Sequence, residues 1–301
     1  MIEFQKLTMD SKSIIQKYTL NSRRRNCDLS FANLYSWWFF YETEYAEYEG
    51  FLLLRYKNEG ELAYMMPVGK GDLRKVIEAI IEDAHSLGHP FHMFGVSPGM
   101  RADLDDAMPD VFIYTPEREY FDYIYHRTDL ATLAGKKFQP KRNFVNRFVR
   151  NNPVYEYKEL TPELVPECLM LEAAWYNVND DKEKVALEAE RRSMTEALHH
   201  MTELDLIGGV LHVDGNIVAF TYGAPINEET FDVCVEKAST FIEGAYTMIN
   251  CEFARHLPEQ YIYMNREEDL GIEGLRKAKL SYHPYVLLEK CRVELKSEIK
   301  S

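Results

Sequence analysis

Apolar positions along this chain change period from one short segment to the next, and the changes read as helices alternating with strands. Residues 11–20 carry helical spacing. After Arg23-Arg24-Arg25 the run Asp28-Leu29-Ser30-Phe31-Ala32-Asn33-Leu34-Tyr35 resumes it, with Asp28 or Ser30 as cap. Residues 41–48, 50–56 and 61–68 read as strands separated by Gly and Asn-Glu-Gly turns, which predicts an antiparallel meander. In 73–87, Val76, Ile77, Ile80, Ile81 and Ala84 keep a 3.6 period, and Gly88-His89-Pro90 ends the helix. A strand at 91–96, a short helix at 98–108 and strands at 111–114 and 120–125 follow.

Residues 161–293 repeat that order. Thr161-Pro162 starts helices predicted to run to about 175 and from about 180 to 201. Residues 208–213 and 217–222, around Asp214-Gly215-Asn216, form a hairpin. Then come a strand at 230–237, a helix at 244–257, a strand at 261–265, a short helix at 273–279 and one last strand at 285–293. The reading is a mixed α/β chain of two similar units, 1–150 and 151–301, consistent with a length of 301 residues.

Composition narrows the classes. Hydrophobic residues make up 46% of the chain, enough for one large core or two medium ones, which excludes a disordered protein. The densest apolar run, Trp37-Trp38-Phe39-Phe40-Tyr41, is far too short to span a bilayer, and Trp37 and Trp38 read as core. The N-terminus has no secretory pattern, and five dispersed cysteines without a CxxC read as reduced thiols, so a cytoplasmic location is expected. Acidic residues outnumber basic ones, 49 to 35, which excludes indiscriminate coating of nucleic acid but leaves room for a local basic patch.

One such patch exists. Residues 131–150 contain no acid and carry Lys136, Lys137, Lys141, Arg142, Arg147 and Arg150, interleaved with Phe138, Phe144 and Phe148. Pro140 suits the first turn of a helix on which Phe144 and Phe148 share an apolar face. Lys141, Arg142 and Asn143 are candidate contacts to a phosphate, CoA or RNA backbone; the other reading is a linker helix with a solvated basic face. No metal site is read from the spacing of His199-His200 or of Cys251 and His256.

The stretch from Asn265 to Pro284, NREEDLGIEGLRKAKLSYHP, loads a strand end with charge, places two glycines after it and continues into a short cationic helix. Such strand ends commonly line a cleft. This stretch resembles the signature of the phosphatidylglycerol lysyltransferase C-terminal domain family. A second stretch, Asp122 to Leu130 through Gly135-Lys136-Lys137-Phe138 to Lys141-Arg142-Asn143 and Asn146-Arg147-Phe148, resembles that family's other main motif, and Cys27 to Leu34 also fits. The resemblance covers nearly the whole chain. It implies two tandem acyltransferase domains of the GNAT type, related to transferases that use aminoacyl-tRNA. The expected activity is aminoacyl transfer from tRNA to an amine or hydroxyl. Acyl-CoA-dependent N-acyl transfer, or a binding module that kept the fold, are the alternatives. The membrane-spanning flippase half of the full lipid lysyltransferases has no counterpart in these residues, which leaves the acceptor open.

The resemblance also suggests roles. Glu236, on the strand resembling the central one of such a domain, would accept the nucleophile's proton, or else form a cross-strand ion pair. Cys234 would share its face as buried packing. Gly244, Ala245 and Tyr246 open a helix whose amides suit a pyrophosphate or carboxylate. Asp269 would hold the amino group of an aminoacyl donor. Asn265 and Arg266 would bind substrate, Arg266 through a phosphate or ribose. Lys279 would steady a phosphate or the oxyanion. A local ion-pair network is the competing reading for Asp269, Arg266 and Lys279.

Overall fold

The structure, a computed structural model, describes residues 2–58, 60–176 and 184–299. Its strands are β1 (Gln5–Lys6), β2 (Glu44–Tyr48), β3 (Phe51–Asn58), β4 (Glu61–Met65), β5 (Val68–Gly69), β6 (His92–Val96), β7 (Phe112–Pro116), β8 (Asp122–His126), β9 (Glu156–Glu159), β10 (Ile207–Val213), β11 (Asn216–Pro225), β12 (Thr230–Ala238), β13 (Tyr263–Asn265), β14 (Val286–Leu288) and β15 (Cys291–Leu295). The helices are α1 (Lys12–Thr19), α2 (Phe31–Ser36), α3 (Trp38–Tyr41), α4 (Leu73–Ser86), α5 (Pro98–Ala107), α6 (Arg127–Thr132), α7 (Gln139–Asn151), α8 (Val165–Tyr176), α9 (Lys184–His199), α10 (Ala245–His256), α11 (Glu273–Leu280) and α12 (Lys296–Ile299). The expected start of a helix near 180 lies outside the described residues.

The strands form two sheets of one topology. The first runs β1-β2-β3-β4-β6-β15-β7, with β5 beside β3; the second, read from its other end, runs β9-β10-β11-β12-β13-β8-β14. In each, an antiparallel meander is followed by a helix and a parallel strand: β4 to β6 through α4, and β12 to β13 through α10. In each, the next position is antiparallel to both neighbours: β15 between β6 and β7, and β8 between β13 and β14.

That position is filled reciprocally. β8 follows the first unit's strands in sequence but pairs in the second sheet, and β15 follows the second unit's strands but pairs in the first. The chain therefore crosses between sheets at residues 117–121 and again at 289–290, whereas the sequence pattern placed one boundary at 150/151. The single last strand expected at 285–293 is two strands in different sheets. Alternation marks a residue as strand but does not say which sheet takes it.

Local signals explain the elements that frame the site. Asp72 caps α4, its carboxylate accepting from the Lys75 amide at 3.1 Å. The helix then buries Val76, Ile77, Ile80 and Ala84 against the first sheet, about 1.5–3 kcal/mol for each large aliphatic side chain. One central cluster runs from β2 and β3 through α1, α2, α8 and α9 to β10 and β11, so the two units share a core. On the far face of the second sheet, α6, α7 and α10 cover Tyr123, Tyr125, Phe231 and Met264, with Phe138 and Phe148 fully buried and Phe144 at the rim. Trp38, expected in the core, is exposed, as is Phe40, because α3 is a four-residue turn at the surface. Among the described residues no helix is long and apolar enough to cross a membrane.

Candidate functional site

The parallel strands β12 and β13 pair only at Thr230–Tyr263, Phe231–Met264 and Asp232–Asn265. β13 ends there while β12 continues to Ala238, so the two part and leave a wedge. A β-bulge sits at its apex. The β11–β12 register shifts between Tyr222 and Ala224, and Val233 and Cys234 have no partner on β11. Gly223 makes this possible: a Cβ there would lie 1.7 Å from the Asp232 carbonyl oxygen. The extra residue reverses the alternation. Cys234 packs with the central cluster on the α8 and α9 side, whereas Glu236 faces α10. The two do not share a face as expected.

On the α10 side, three of the expected residues converge. The Glu236 carboxylate accepts from Arg266 Nη2 at 2.9 Å and from Asn250 Nδ2 at 3.0 Å. Arg266 lies against the Tyr282 ring at 4.9 Å, and Lys141 Nζ sits 3.7 Å from the same ring centre. Burial works against the charge on Arg266, and Glu236 together with Tyr125 and Tyr282 more than offsets it. At Lys141 burial, then the neighbouring Arg266, outweighs the opposing pull of Glu236 and brings the amine down to about 8. Arg266 Nη1 and Asn250 Oδ1 are buried without a hydrogen-bond partner, so this side keeps a cationic donor and an amide oxygen uncommitted.

On the opposite side, Asp232, Cys234 and Glu267 gather, with one ligand atom from each within 4.8 Å of the others. Burial, then Asp122, drives the Asp232 carboxyl well above its usual range; burial, then Asp232, does the same to Glu267. Beside them lies the junction of the two sheets. Lys290 Nζ is 2.7 Å from Asp122, 2.7 Å from Glu268 and 2.8 Å from Asp28. The Cys27 amide donates to Asp122 at 3.0 Å. Burial pushes the Asp122 carboxyl up to about 6, with Lys290 opposing.

The remaining expected residues separate. Asn265 faces the junction, its amide donating to Asp122 at 2.8 Å and to the Arg25 carbonyl at 2.7 Å. Lys279 is buried, donating to the carbonyls of Arg266 and Glu268, and so holds the loop after β13. Asp269 has no exposed surface. Arg118, Tyr123, Arg276 and the Gly271 amide occupy both its oxygens at 2.6–2.9 Å, leaving no acceptor for a donor's amino group. Arg142 donates to the carbonyls of Leu133 and Gly135 and ties the loop after α6. Asn143 is exposed and accepts from Gln139. At the turn before α10, a Cβ on Gly244 would lie 2.5 Å from the Phe144 carbonyl oxygen. Gly244 and the buried Ala245 thus serve a close crossing with α7, and Tyr246 follows on the same turn. Tyr282, Asn250, Asp232 and Lys290 were not singled out from sequence; they stand on separate elements, and no spacing links them to Glu236 or Asp122.

Two sheets of one topology, each with a parallel pair that follows a meander and a helix, define a tandem acyltransferase-fold protein of the GNAT type. The chain belongs to the phosphatidylglycerol lysyltransferase C-terminal domain family, whose model matches residues 21–293. A conserved protein of unknown function from Bacteroides thetaiotaomicron VPI-5482 is 56% identical, with a TM-score of 0.96, over 98% of this chain and 100% of that one. The L-PGS of Bacillus licheniformis shares the fold at 16% identity, with a TM-score of 0.66, over 96% of this chain and 92% of its own. A tandem GNAT protein from the clavulanic acid biosynthesis pathway does so at 11%, with a TM-score of 0.51, over 98% of both. An uncharacterised protein of Mycoplasmoides gallisepticum is 21% identical over 175 residues, 58% of this chain; the match spans only 56% of that curated relative.

Proposed function

We propose that this protein transfers an aminoacyl group from a charged tRNA to an amine or hydroxyl, and that the reaction takes place on the α10 side of the wedge. One observation carries the reading: a buried, unpaired guanidinium nitrogen of Arg266 stands beside Lys141 where β12 and β13 part. Membership of an acyltransferase-fold family supports the reaction class.

The residues divide the work as follows. Neutral Lys141 takes the proton from the acceptor's N–H or O–H, since an amine near 8 is a competent base close to neutral pH. The acceptor's lone pair forms a bond to the ester carbonyl carbon, and the resulting oxyanion is met by Arg266 Nη1–H. The carbon–oxygen bond to the tRNA ribose breaks, and the Lys141 ammonium returns the proton to the departing hydroxyl. Glu236 positions Arg266 through its 2.9 Å ion pair. Lys136, Lys137 and Arg150, exposed around α7, attract the nucleic-acid backbone. The close packing of Gly244 on α7 favours an aminoacyl ester over a CoA thioester, because the turn that would cradle a pyrophosphate is already a helix contact.

The test supplies mixed aminoacyl-tRNAs with hydroxylamine as a generic acceptor and, in parallel, acetyl-CoA. We expect hydroxamate formation from charged tRNA that falls steeply with salt and is lost in Arg266→Met. Thiol release from acetyl-CoA without reaction of charged tRNA refutes the donor assignment. Reaction of neither refutes the enzyme.

A further inference from the structure

The molecule holds two clusters of one composition, each a cysteine with two carboxylates. In the first, Cys27, Asp122 and Glu268 surround Lys290, whose ammonium lies 2.7 Å from each carboxylate and 3.5 Å from the sulfur. That cluster contains its own cation. The second, Asp232, Cys234 and Glu267, contains none: among the described residues no ion pair reaches either carboxylate, and the buried Lys279 acts on Glu267 only from beyond ion-pair distance. Asp232 has no exposed surface, and its Oδ1 accepts no hydrogen bond. A buried carboxyl oxygen left unpaired is costly in either protonation state, and a cation held by both Asp232 oxygens removes the cost.

We infer that Asp232, Cys234 and Glu267 form a binding site for a zinc-class divalent cation on the α8 and α9 side of the wedge. The spacing fits. Cys234 Sγ and Asp232 Oδ2 are 3.5 Å apart; two such ligands on a tetrahedral zinc span about 3.6 Å. Glu267 is steered into place by Asn33, whose amide donates to Oε1 at 3.1 Å. Cys234 and Glu267 are both partly exposed, which gives the ion a way in. A thiolate in the ligand set favours zinc or cobalt over magnesium or calcium. Binding breaks the Cys234 S–H bond and the O–H bonds of whichever of Asp232 and Glu267 is protonated in the empty site, forms the sulfur–metal and oxygen–metal bonds, and releases those protons to solvent. Three protein ligands leave a fourth position open. The site is independent of the transfer chemistry on the other face.

The experiment uses chelator-treated full-length protein titrated with Co2+ alone and with Zn2+ alone. We expect one Co2+ per chain, a near-ultraviolet thiolate-to-cobalt charge-transfer band that Zn2+ abolishes, and Zn2+ protection of Cys234 from alkylation, mapped by mass spectrometry. The band is lost in Cys234→Ser and kept in Cys27→Ser, and Asn33→Ala weakens Co2+ binding about tenfold. Cobalt binding without the band, loss of the band in folded Cys27→Ser, or a Cys234 alkylation rate unchanged by Zn2+ would each overturn the proposal; the alkylation readout holds even if Cys234→Ser does not fold.

Discussion

Asp122 and Lys290 lie 2.7 Å apart and fully buried, one opening β8 and the other immediately preceding β15, so the two exchanged strands start from a single ion pair. Lys290 also holds Asp28 and Glu268. Lys290→Met strands three carboxylates around an apolar side chain. We expect a loss of about 3–5 kcal/mol, the range for breaking one partner of a buried pair. Urea denaturation at neutral pH measures it. A loss below about 1 kcal/mol, the scale of an exposed pair, would show that packing alone holds the crossover.

The exchange predicts that neither unit stands alone. β15 lies between β6 and β7 and buries Cys291, Val293 and Leu295. A chain ending at Leu288 leaves both neighbours with open edges and removes those side chains from the first core. A fragment of residues 1–150 has the same defect and also carries β8 without its sheet. Both should be insoluble or lack a cooperative unfolding transition. A dispersed, native-like NMR spectrum from either fragment would refute the exchange as a folding requirement.

Sequence periodicity was enough for the helices with one apolar stripe, such as α4, and for the meander of β2 to β4, because those signals are local. It was blind to the destinations of β8 and β15, since an alternating strand is compatible with either sheet. The convergence of Lys141, Glu236 and Arg266 followed from charge and resemblance, but their common platform, Tyr282, reads as an ordinary aromatic until α11 delivers it. Cys234 does not take the face that simple alternation gives, because a bulge overrides it, and Gly223 is the residue in the sequence that hints at the bulge. Asp269 looked like an open ligand because its partners Arg118 and Tyr123 come from a segment about 150 residues away.

Asp269→Ala should act on stability as well as on any activity. Against the upward push of burial, Arg276, Tyr123, the Gly271 amide and Arg118 hold its carboxyl well below the usual carboxylate range. A depressed folded-state value means that the contribution is complete above about pH 4 and disappears as the pH falls further. We expect Asp269→Ala to lose about 2–3 kcal/mol at pH 7, below the full buried-pair range because both arginines are partly exposed. The difference from wild type should shrink below pH 4. Equal melting temperatures at pH 7 would return Asp269 to the list of free ligands.

Lys141 supplies the pH dependence. Its amine is pulled down to about 8 in the folded protein, so protonated Lys141 predominates at pH 7 and the neutral base grows in as the pH rises through 8. Transfer to hydroxylamine at a fixed concentration of the free base should therefore rise to a plateau above pH 8. Lys141→Arg, which keeps the charge but cannot deprotonate, should remove that limb and lower the rate about 100-fold or more. Competitive acetylation read by mass spectrometry checks the same amine without any assumption about the reaction: Lys141 should titrate near 8, about two units below an unperturbed lysine amine. A labelling midpoint for Lys141 at the unperturbed lysine value would remove it as the base and leave the role to another group, Glu236 at that face being already committed to Arg266.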